Sequence, residues 1–375
     1  MATNVIVVGA GVVGAATAWA LAREGASVLL LEAFDRGHDR GSSHGATRIF
    51  RHGYADADYV QLSVRALQGW RHLERVSGRR LLDATGAVDH GELSALTSIA
   101  KAQDAAGLPY EWLSGADAQK RWPGLRFERH VLFSPGGGRL HAADGVEALL
   151  DAAEEAGAEL RFGVRVTAIE QDGDGIAVTA SDGVHTADRV VVAAGSWTPV
   201  LLRPWLAAHG AELPTVTVTE EQPAHFPLLP GLAVSEAAWP SFVHHPTENG
   251  IAGAYGLLTP GEGVKVGFHG VGPVVDPDDR DRAIDPVALE RLQRYVSEWV
   301  PGVDPTRPEG ISCLYDSTAQ EDFVLDRVGA VVVATGFSGH GFKFGPALGD
   351  VLARLALHDE APAPRFRLSV APADA

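Results

Sequence analysis

The stretch Val5-Ile-Val-Val-Gly-Ala-Gly-Val-Val-Gly14 narrows the choice of folds more than any other part of this chain. Branched apolar residues in succession from Val5 to Val8 read as a strand buried on both faces. Gly9, Gly11 and Gly14 then read as the turn from that strand into a helix. Gly9 permits the tight turn, Gly11 lets the backbone approach a pyrophosphate, and Gly14 lets the helix lie close to the strand. The unpaired N–H groups of the helix start then meet the phosphate charge. Val13, Ala16, Thr17, Ala20 and Leu21 continue at helical spacing, and Ser27 to Leu31 forms a second apolar strand. Glu32 follows at the ~20-residue distance where an acid accepts a ribose hydroxyl and disfavours a 2′-phosphate. Strand, turn, helix, strand and acid in this order predict a dinucleotide site, and leave open whether NAD or FAD occupies it.

A chain of 375 residues exceeds the size at which one core stops growing, so two lobes are expected. Its 31 basic and 48 acidic residues give a formal charge of -17, which repels phosphate polymers and anionic lipid. No nucleic-acid or membrane partner is expected. There is no apolar run of membrane-spanning length and the N-terminus enters a strand at once, so the expectation is a soluble, cytoplasmic protein without a signal peptide. The single cysteine, Cys313, rules out an intramolecular disulfide and a cysteine-based metal site, and no metal is expected.

Beyond the first strand-helix-strand unit, the loop Gly41-Ser-Ser-His-Gly45 is too rich in glycine and serine for a regular element, and Arg48, Arg51 and His52 follow it closely. Backbone N–H groups and cations together suit an anion, either cofactor phosphate or a substrate carboxylate. Helices are predicted over 59–76, 94–106 and 115–122, and strands over 81–90, while the turn-rich residues 131–140 read as an insertion leaving the first lobe. Asp144-Gly-Val-Glu147 reads as a capping pattern for a helix to about Gly157. Phe162, Val164, Val166 and Ala168 alternate as a strand, 176–180 supplies another, and Arg189 to Ala194 is a buried strand ending at Gly195. Short β segments at 215–219, 242–245 and 264–269 make a second, antiparallel lobe, closed by a helix over 287–299 and a linker over 301–308. A strand at 330–334, the run Gly336-Phe-Ser-Gly-His-Gly-Phe-Lys-Phe344 and a helix over 346–358 return to the first lobe.

In Val264-Lys-Val-Gly-Phe-His269 alternation sets Lys265, Gly267 and His269 on one face, a pattern that by itself fits a solvated sheet face as well as a polar site. The same period places Cys313 beside Tyr315. Glycines flank His340 just ahead of a helix, where a bare backbone meets ligands and Lys343 offers a charge to a carboxylate.

These residues carry a family resemblance. The fingerprint 9–32, the loop Gly-Ser-Ser-His-Gly-x-Thr-Arg at 41–48 with Arg51, His52 and Tyr54, the Lys265–His269 strand, Cys313-Leu-Tyr315 and the 336–344 run resemble the D-amino-acid-oxidase-type flavoproteins. Within that family they are most similar to the monomeric sarcosine oxidase and N-methyltryptophan oxidase group. The resemblance spans nearly the whole chain and implies an α/β fold. A discontinuous Rossmann-like FAD-binding domain (1–85, 145–212 and 309–375) would be interleaved with an antiparallel-sheet substrate domain (86–144 and 213–308). It implies FAD held by Gly9, Gly11, Val12, Val13, Gly14, Glu32, Ala33, Ser42, Ser43, His44, Thr47, Arg48, Val166, Ala194, Gly195, Trp197, Gly336, Gly339, His340, Gly341 and Lys343, with a thioether from Cys313 to the flavin.

It further implies that Arg51 and Lys343 bind a substrate carboxylate, that Lys265 activates oxygen, and that Arg48, His269 and Tyr315 complete the catalytic wall. Tyr255 lines the substrate side. The position nearest the amine falls on Val243 or His244, and the turn 250–255 looks longer than in the family. The implied activity is oxidation of a small N-methyl amino acid such as sarcosine, with O2 reduced to H2O2, by a monomer. Oxidases of other imino acids, pipecolate or an N-methylated aromatic among them, share every one of these motifs, and a flavin-binding module without turnover is a further alternative.

Overall fold

The computed structural model describes residues 4–231, 235–246, 253–358 and 360–368. Strand β1 (Asn4–Val8) is apolar toward both faces because it is covered on both. It lies inside a six-stranded sheet whose order is 324–328, 331–335, 189–192, β1, β2 (Ser27–Leu31) and 159–161. The first pair is antiparallel and every other pair is parallel, with Val5 registered between Val28 and Arg189. Against one face pack α1 (Val12–Arg23) and the helices 142–155 and 345–357, burying Val7, Leu30, Leu149, Leu348 and Leu352 together. Against the other face, Ile6, Val8, Val190 and Val192 meet the antiparallel sheet 166–172, 175–180 and 183–187, and Leu202, Trp205 and Leu206 of the helix 198–208.

A second, eight-stranded sheet runs in the order 309–310, 224–226, 263–268, 254–259, 241–244, 87–90, 130–134 and 111–114. All its pairs are antiparallel except 241–244 with 87–90. Its apolar side, with Val88, Phe226, Phe242, Val264 and Val266, is covered by Leu292, Tyr295, Val296 and Trp299 of the helix 286–299. Its opposite side carries Lys265. Two small sheets join the layers: 47–50 pairs with 138–141, and 217–221 pairs with 313–317, setting Cys313 opposite Glu221.

Three local expectations change. Residues 131–140 are two strands, 130–134 and 138–141, separated by the turn that Gly137 closes by donating its N–H to the Ser134 carbonyl. The density of turn residues masks the pairing because the second strand is only four residues long. The helix expected from Asp144 opens earlier, at Ala142, with His141 as its N-cap, so Asp144 sits in the first turn and favours the helix dipole from there. Phe162 and Val164 precede the strand that begins at Val166; their alternation comes from packing on two different cores, not from a pleat.

The helix 345–357 crosses α1 at backbone contact, since a Cβ on Gly349 would stand 2.5 Å from the Ala16 carbonyl oxygen. Gly349→Ala is therefore expected to lower stability by about 1–3 kcal/mol through overpacking. A urea midpoint unchanged from the parent would show that the helices are not so tightly apposed.

Candidate active site

The first wall of the site is the turn after β1. Gly9 has φ +102°, a conformation glycine adopts without strain, and a side chain there would collide with the Ala193 carbonyl. Gly14 faces the Gly9 carbonyl with no room for a Cβ, which brings α1 against β1. Ser43 Oγ accepts from the Val12 N–H at 3.0 Å, so the 41–45 loop is tied to the helix start. Glu32 is buried and accepts from the N–H of Ala10 at 2.7 Å and of Phe34 at 3.0 Å. Burial works against its charge. The hydrogen bond with His38 and those two N–H groups outweigh it and hold the carboxyl below its ordinary range. Its remaining lone pairs are those a ribose hydroxyl would use.

The loop itself is held by cations. Arg48 donates to the carbonyls of Thr47 at 2.9 Å, Ser42 at 2.9 Å and His44 at 2.6 Å, and Lys265 donates its Nζ to the same Thr47 carbonyl at 2.6 Å. Lys265 is 4% exposed, which settles the question its alternating strand left open: this face of the sheet is interior. Burial first, then the charge of Arg48, pushes the Lys265 ammonium well below its usual range. His44 is likewise pushed down to about 4 by burial and Arg48, so it is neutral at pH 7. Cys313 Sγ lies 4.0 Å from the Ser42 carbonyl.

Across the cavity, the Arg51 guanidinium lies 4.5 Å from the Tyr54 ring centre, and Lys343 donates to the Tyr54 hydroxyl at 2.8 Å and the His340 carbonyl at 2.6 Å. Burial and then Arg51 depress the Lys343 ammonium. Two like charges flanking one phenol form a site that an anion relieves. Tyr255, pushed up to about 12 chiefly by burial, and Tyr315, pushed well above its usual range for the same reason, stay protonated beside it. His269 faces Tyr315 with ring centres 5.4 Å apart and Glu321 at 3.5 Å.

All these walls enclose one cavity of about 1440 Å³. It is lined by Gly9, Gly11, Val12, Val13, Glu32, Ala33, Ser42, Ser43, His44, Arg48, Val166, Ala194, Gly195, Trp197 and Cys313 at one end. At the other it is lined by Arg51, Tyr255, Lys265, His269, Tyr315, Gly339, His340, Gly341 and Lys343. Gly14, Thr47 and Gly336 lie outside the lining. Gly14 sets the helix, Thr47 presents its carbonyl to Lys265 and its hydroxyl to Thr259, and Gly336 donates its N–H to Asp316 at 2.9 Å. His244 touches the cavity, but its ring stacks on His90 at 4.1 Å and pairs with Tyr295 at 3.1 Å. Val243, the cross-strand partner of Tyr255, is the residue on the cavity side. Residues 247–252, and with them most of the long turn, lie outside the described residues. Asp89 and His245 are not among the residues expected from sequence; the signal available was an acid following two apolar residues in the buried strand 87–90.

The donor set fits a flavin dinucleotide. His44 Nε2, Trp197 Nε1 and Ser196 Oγ are buried without a hydrogen-bond partner among the described residues, and all three belong to residues lining this cavity. Among the described residues no helix is long and apolar enough to cross a membrane, and no acidic, histidine or cysteine group is arranged for a metal.

Residues 4–355 match the family described as FAD dependent oxidoreductase. The monomeric sarcosine oxidase of Bacillus sp. (strain B-0618) is 32% identical over 366 residues, covering 94% of this chain and 92% of that one. The N-methyl-L-tryptophan oxidase of Yersinia pestis (strain Pestoides F) is 31% identical over 370 residues, covering 96% of each. Among solved structures, the open form of NikD, an amino acid oxidase essential for nikkomycin biosynthesis, superposes with a TM-score of 0.83 at 29% identity, over 98% of this chain and 97% of that one.

Burial also sets a pH dependence. His52, His225 and His244 are each pushed down to about 4, mainly by desolvation, whereas in the unfolded chain they titrate near 6.5. Between those values the unfolded chain binds more protons, so stability is full above pH 6.5 and is lost as pH falls toward 4. The loss is up to about 1.4 kcal/mol per pH unit for each group. The thermal midpoint is expected to hold above pH 6.5 and decline steadily below it; a midpoint constant from 6.5 to 4 would contradict neutral burial.

Proposed function

We propose that this chain, which belongs to the FAD dependent oxidoreductase family, oxidises the N-methyl carbon–nitrogen bond of a small secondary amino acid such as sarcosine. It is an FAD-dependent amino-acid oxidase of the sarcosine oxidase and N-methyltryptophan oxidase kind. The substrate is the proposed part. The imine product would hydrolyse to the demethylated amino acid and formaldehyde, and O2 would leave as H2O2. The reading includes a monomer acting in the cytoplasm on small molecules. It also includes the division into 1–85, 145–212 and 309–375 for the cofactor, and 86–144 and 213–308 for the substrate, a division supported by membership of the two large sheets except at 309–310, which pairs into the eight-stranded sheet.

The observation that carries the reading is the arrangement of cations around one cavity. Arg51 and Lys343 flank Tyr54 at one end, and the buried Lys265 shares the Thr47 carbonyl with Arg48. Arg51 offers a planar fork to a carboxylate, and Lys343, donating to the Tyr54 hydroxyl, is a second donor at the same end. Tyr255, Tyr315 and His269 line the amine side. Lys265 is a preorganised cation for charge that develops on oxygen in a water-poor site. Bound FAD, held by the residues of the β1 turn, the 41–48 loop and Trp197, supplies the two-electron redox chemistry. Cys313, on the cavity wall, is the proposed attachment point through a thioether to the flavin.

Lys265→Met is expected to slow reoxidation by O2 by roughly 10²–10³-fold while anaerobic reduction by substrate stays near the parent rate. Equal losses in both half-reactions would reject the assignment. If Cys313 carries the flavin, acid-precipitated protein stays yellow and Cys313→Ala releases free flavin to the supernatant; free flavin from the parent protein would exclude the linkage.

A further inference from the structure

Asp89 sits within the buried strand 87–90 and is 0% exposed, yet only one of its oxygens is engaged. Oδ1 receives Nε2 of His245 at 2.8 Å and Nη1 of Arg51 at 3.5 Å, while Oδ2 has no partner among the described residues. A half-satisfied buried carboxylate is costly, and it persists where a second state uses it. The site is built around it: a Cβ on Gly53 would stand 2.5 Å from Asp89 Oδ2 and 2.9 Å from Arg51 Nη1, so both charges need glycine there. Arg51 and His245 line the cavity, with Asp89 behind them. Because His245 Nε2 is committed to Asp89, Nδ1 is the ring nitrogen left to a ligand, and no described residue hydrogen-bonds to it.

We infer that Asp89 and His245 form the proton acceptor for the substrate's ammonium group, brought into play when the substrate carboxylate takes Arg51 from Asp89. This rests on the carboxylate-binding reading of Arg51. The long 3.5 Å contact marks Arg51 as a partner Asp89 can lose to a carboxylate that engages both arms of the fork. Asp89 is then a buried anion facing His245 alone, and a proton on His245 neutralises the pair. A zwitterionic secondary amino acid carries that proton. One N–H bond breaks at the substrate nitrogen and one forms at His245 Nδ1. The positive charge passes from ammonium to imidazolium, and the amine is left with the lone pair its oxidation requires.

The neighbours allow this. His90 and His244 on the flanking strands are held neutral by burial, with His244 anchored to Tyr295. Lys343, beyond Tyr54, and His340, kept neutral chiefly by burial, are competing acceptors near Arg51 among the described residues. Asp89 is thus a positioning residue, and His245 the group that touches substrate.

The test uses the FAD-loaded protein and acetate, a carboxylate without an amine, titrated calorimetrically at pH 8 in two buffers of different ionisation enthalpy. The parent is expected to take up close to one proton per acetate bound. His245→Gln and Asp89→Asn are expected to bind acetate without that uptake. Binding by the parent with no uptake would overturn the inference, as would uptake kept in His245→Gln and lost in Lys343→Met, which would assign the proton to Lys343. Failure of acetate to bind at all would remove the reading of Arg51 and the inference with it. In turnover, kcat/KM of the parent should stay level below the substrate amine's own pKa, whereas that of His245→Gln should fall about tenfold per pH unit. Superimposable profiles would also overturn it.

Discussion

The site depends on a single backbone carbonyl. Thr47 O accepts from both Lys265 and Arg48, one cation from the eight-stranded sheet and one from its own loop. A backbone carbonyl cannot neutralise either cation; it can only hold them in place by directed hydrogen bonds. Lys265 is consequently an ammonium fixed in position and short of a counter-charge, and burial makes that condition expensive. The expense is met by the rest of the fold. The 41–48 loop is tied to α1 through Ser43, to the 313–317 strand through Ser42, and to the second sheet through Thr47 and Thr259. If any of these ties were absent, the loop would be free to carry its carbonyl away from the lysine.

That arrangement explains which parts of the molecule were legible in the sequence. The β1 turn was, because Gly9 and Gly14 are demanded by local sterics that any reader of spacing can infer. The sheets formed by β1, 189–192 and 331–335 were legible too, since strands covered on both faces have no polar positions to confuse the pattern. Lys265 was ambiguous because period two distinguishes the faces of a strand and says nothing of what covers them. Here the cover is the 41–48 loop, more than 200 residues earlier in the chain. The strands 130–134 and 138–141 failed for a related reason: each is short, and their pairing with 87–90 and 47–50 is decided by tertiary contact.

His244 and His245 show the same limit at the scale of one residue. Strand alternation gives adjacent histidines opposite fates: His244 enters the second core between His90, Tyr295 and Trp299, while His245 meets Asp89 at the cavity wall. Deciding which one reaches the cavity wall requires the partner strand 87–90, whose parallel pairing with 241–244 is a crossover that no local signal announces. Once that pairing exists, an acid at position 89 brings a histidine and an arginine from distant segments onto one carboxylate oxygen.

The charge of the whole chain bears on how such a site is reached. A formal charge of -17 opposes the approach of any net anion, although salt confines that field to about 8–10 Å from the surface. A zwitterion has no net charge and approaches without this penalty, whereas the free amine form of the same amino acid is an anion. The exterior therefore favours the form that carries one proton too many for oxidation, and the interior must remove it. On the proposed reading, Arg51 and Lys343 draw in the carboxylate end where solvent screening is weakest, and a proton acceptor placed beside them resolves the mismatch between the species the surface admits and the species the chemistry consumes. With the proposed proton acceptor, the exterior charge and the buried Asp89–His245 pair are two parts of one selection, the first acting on net charge and the second on a single proton.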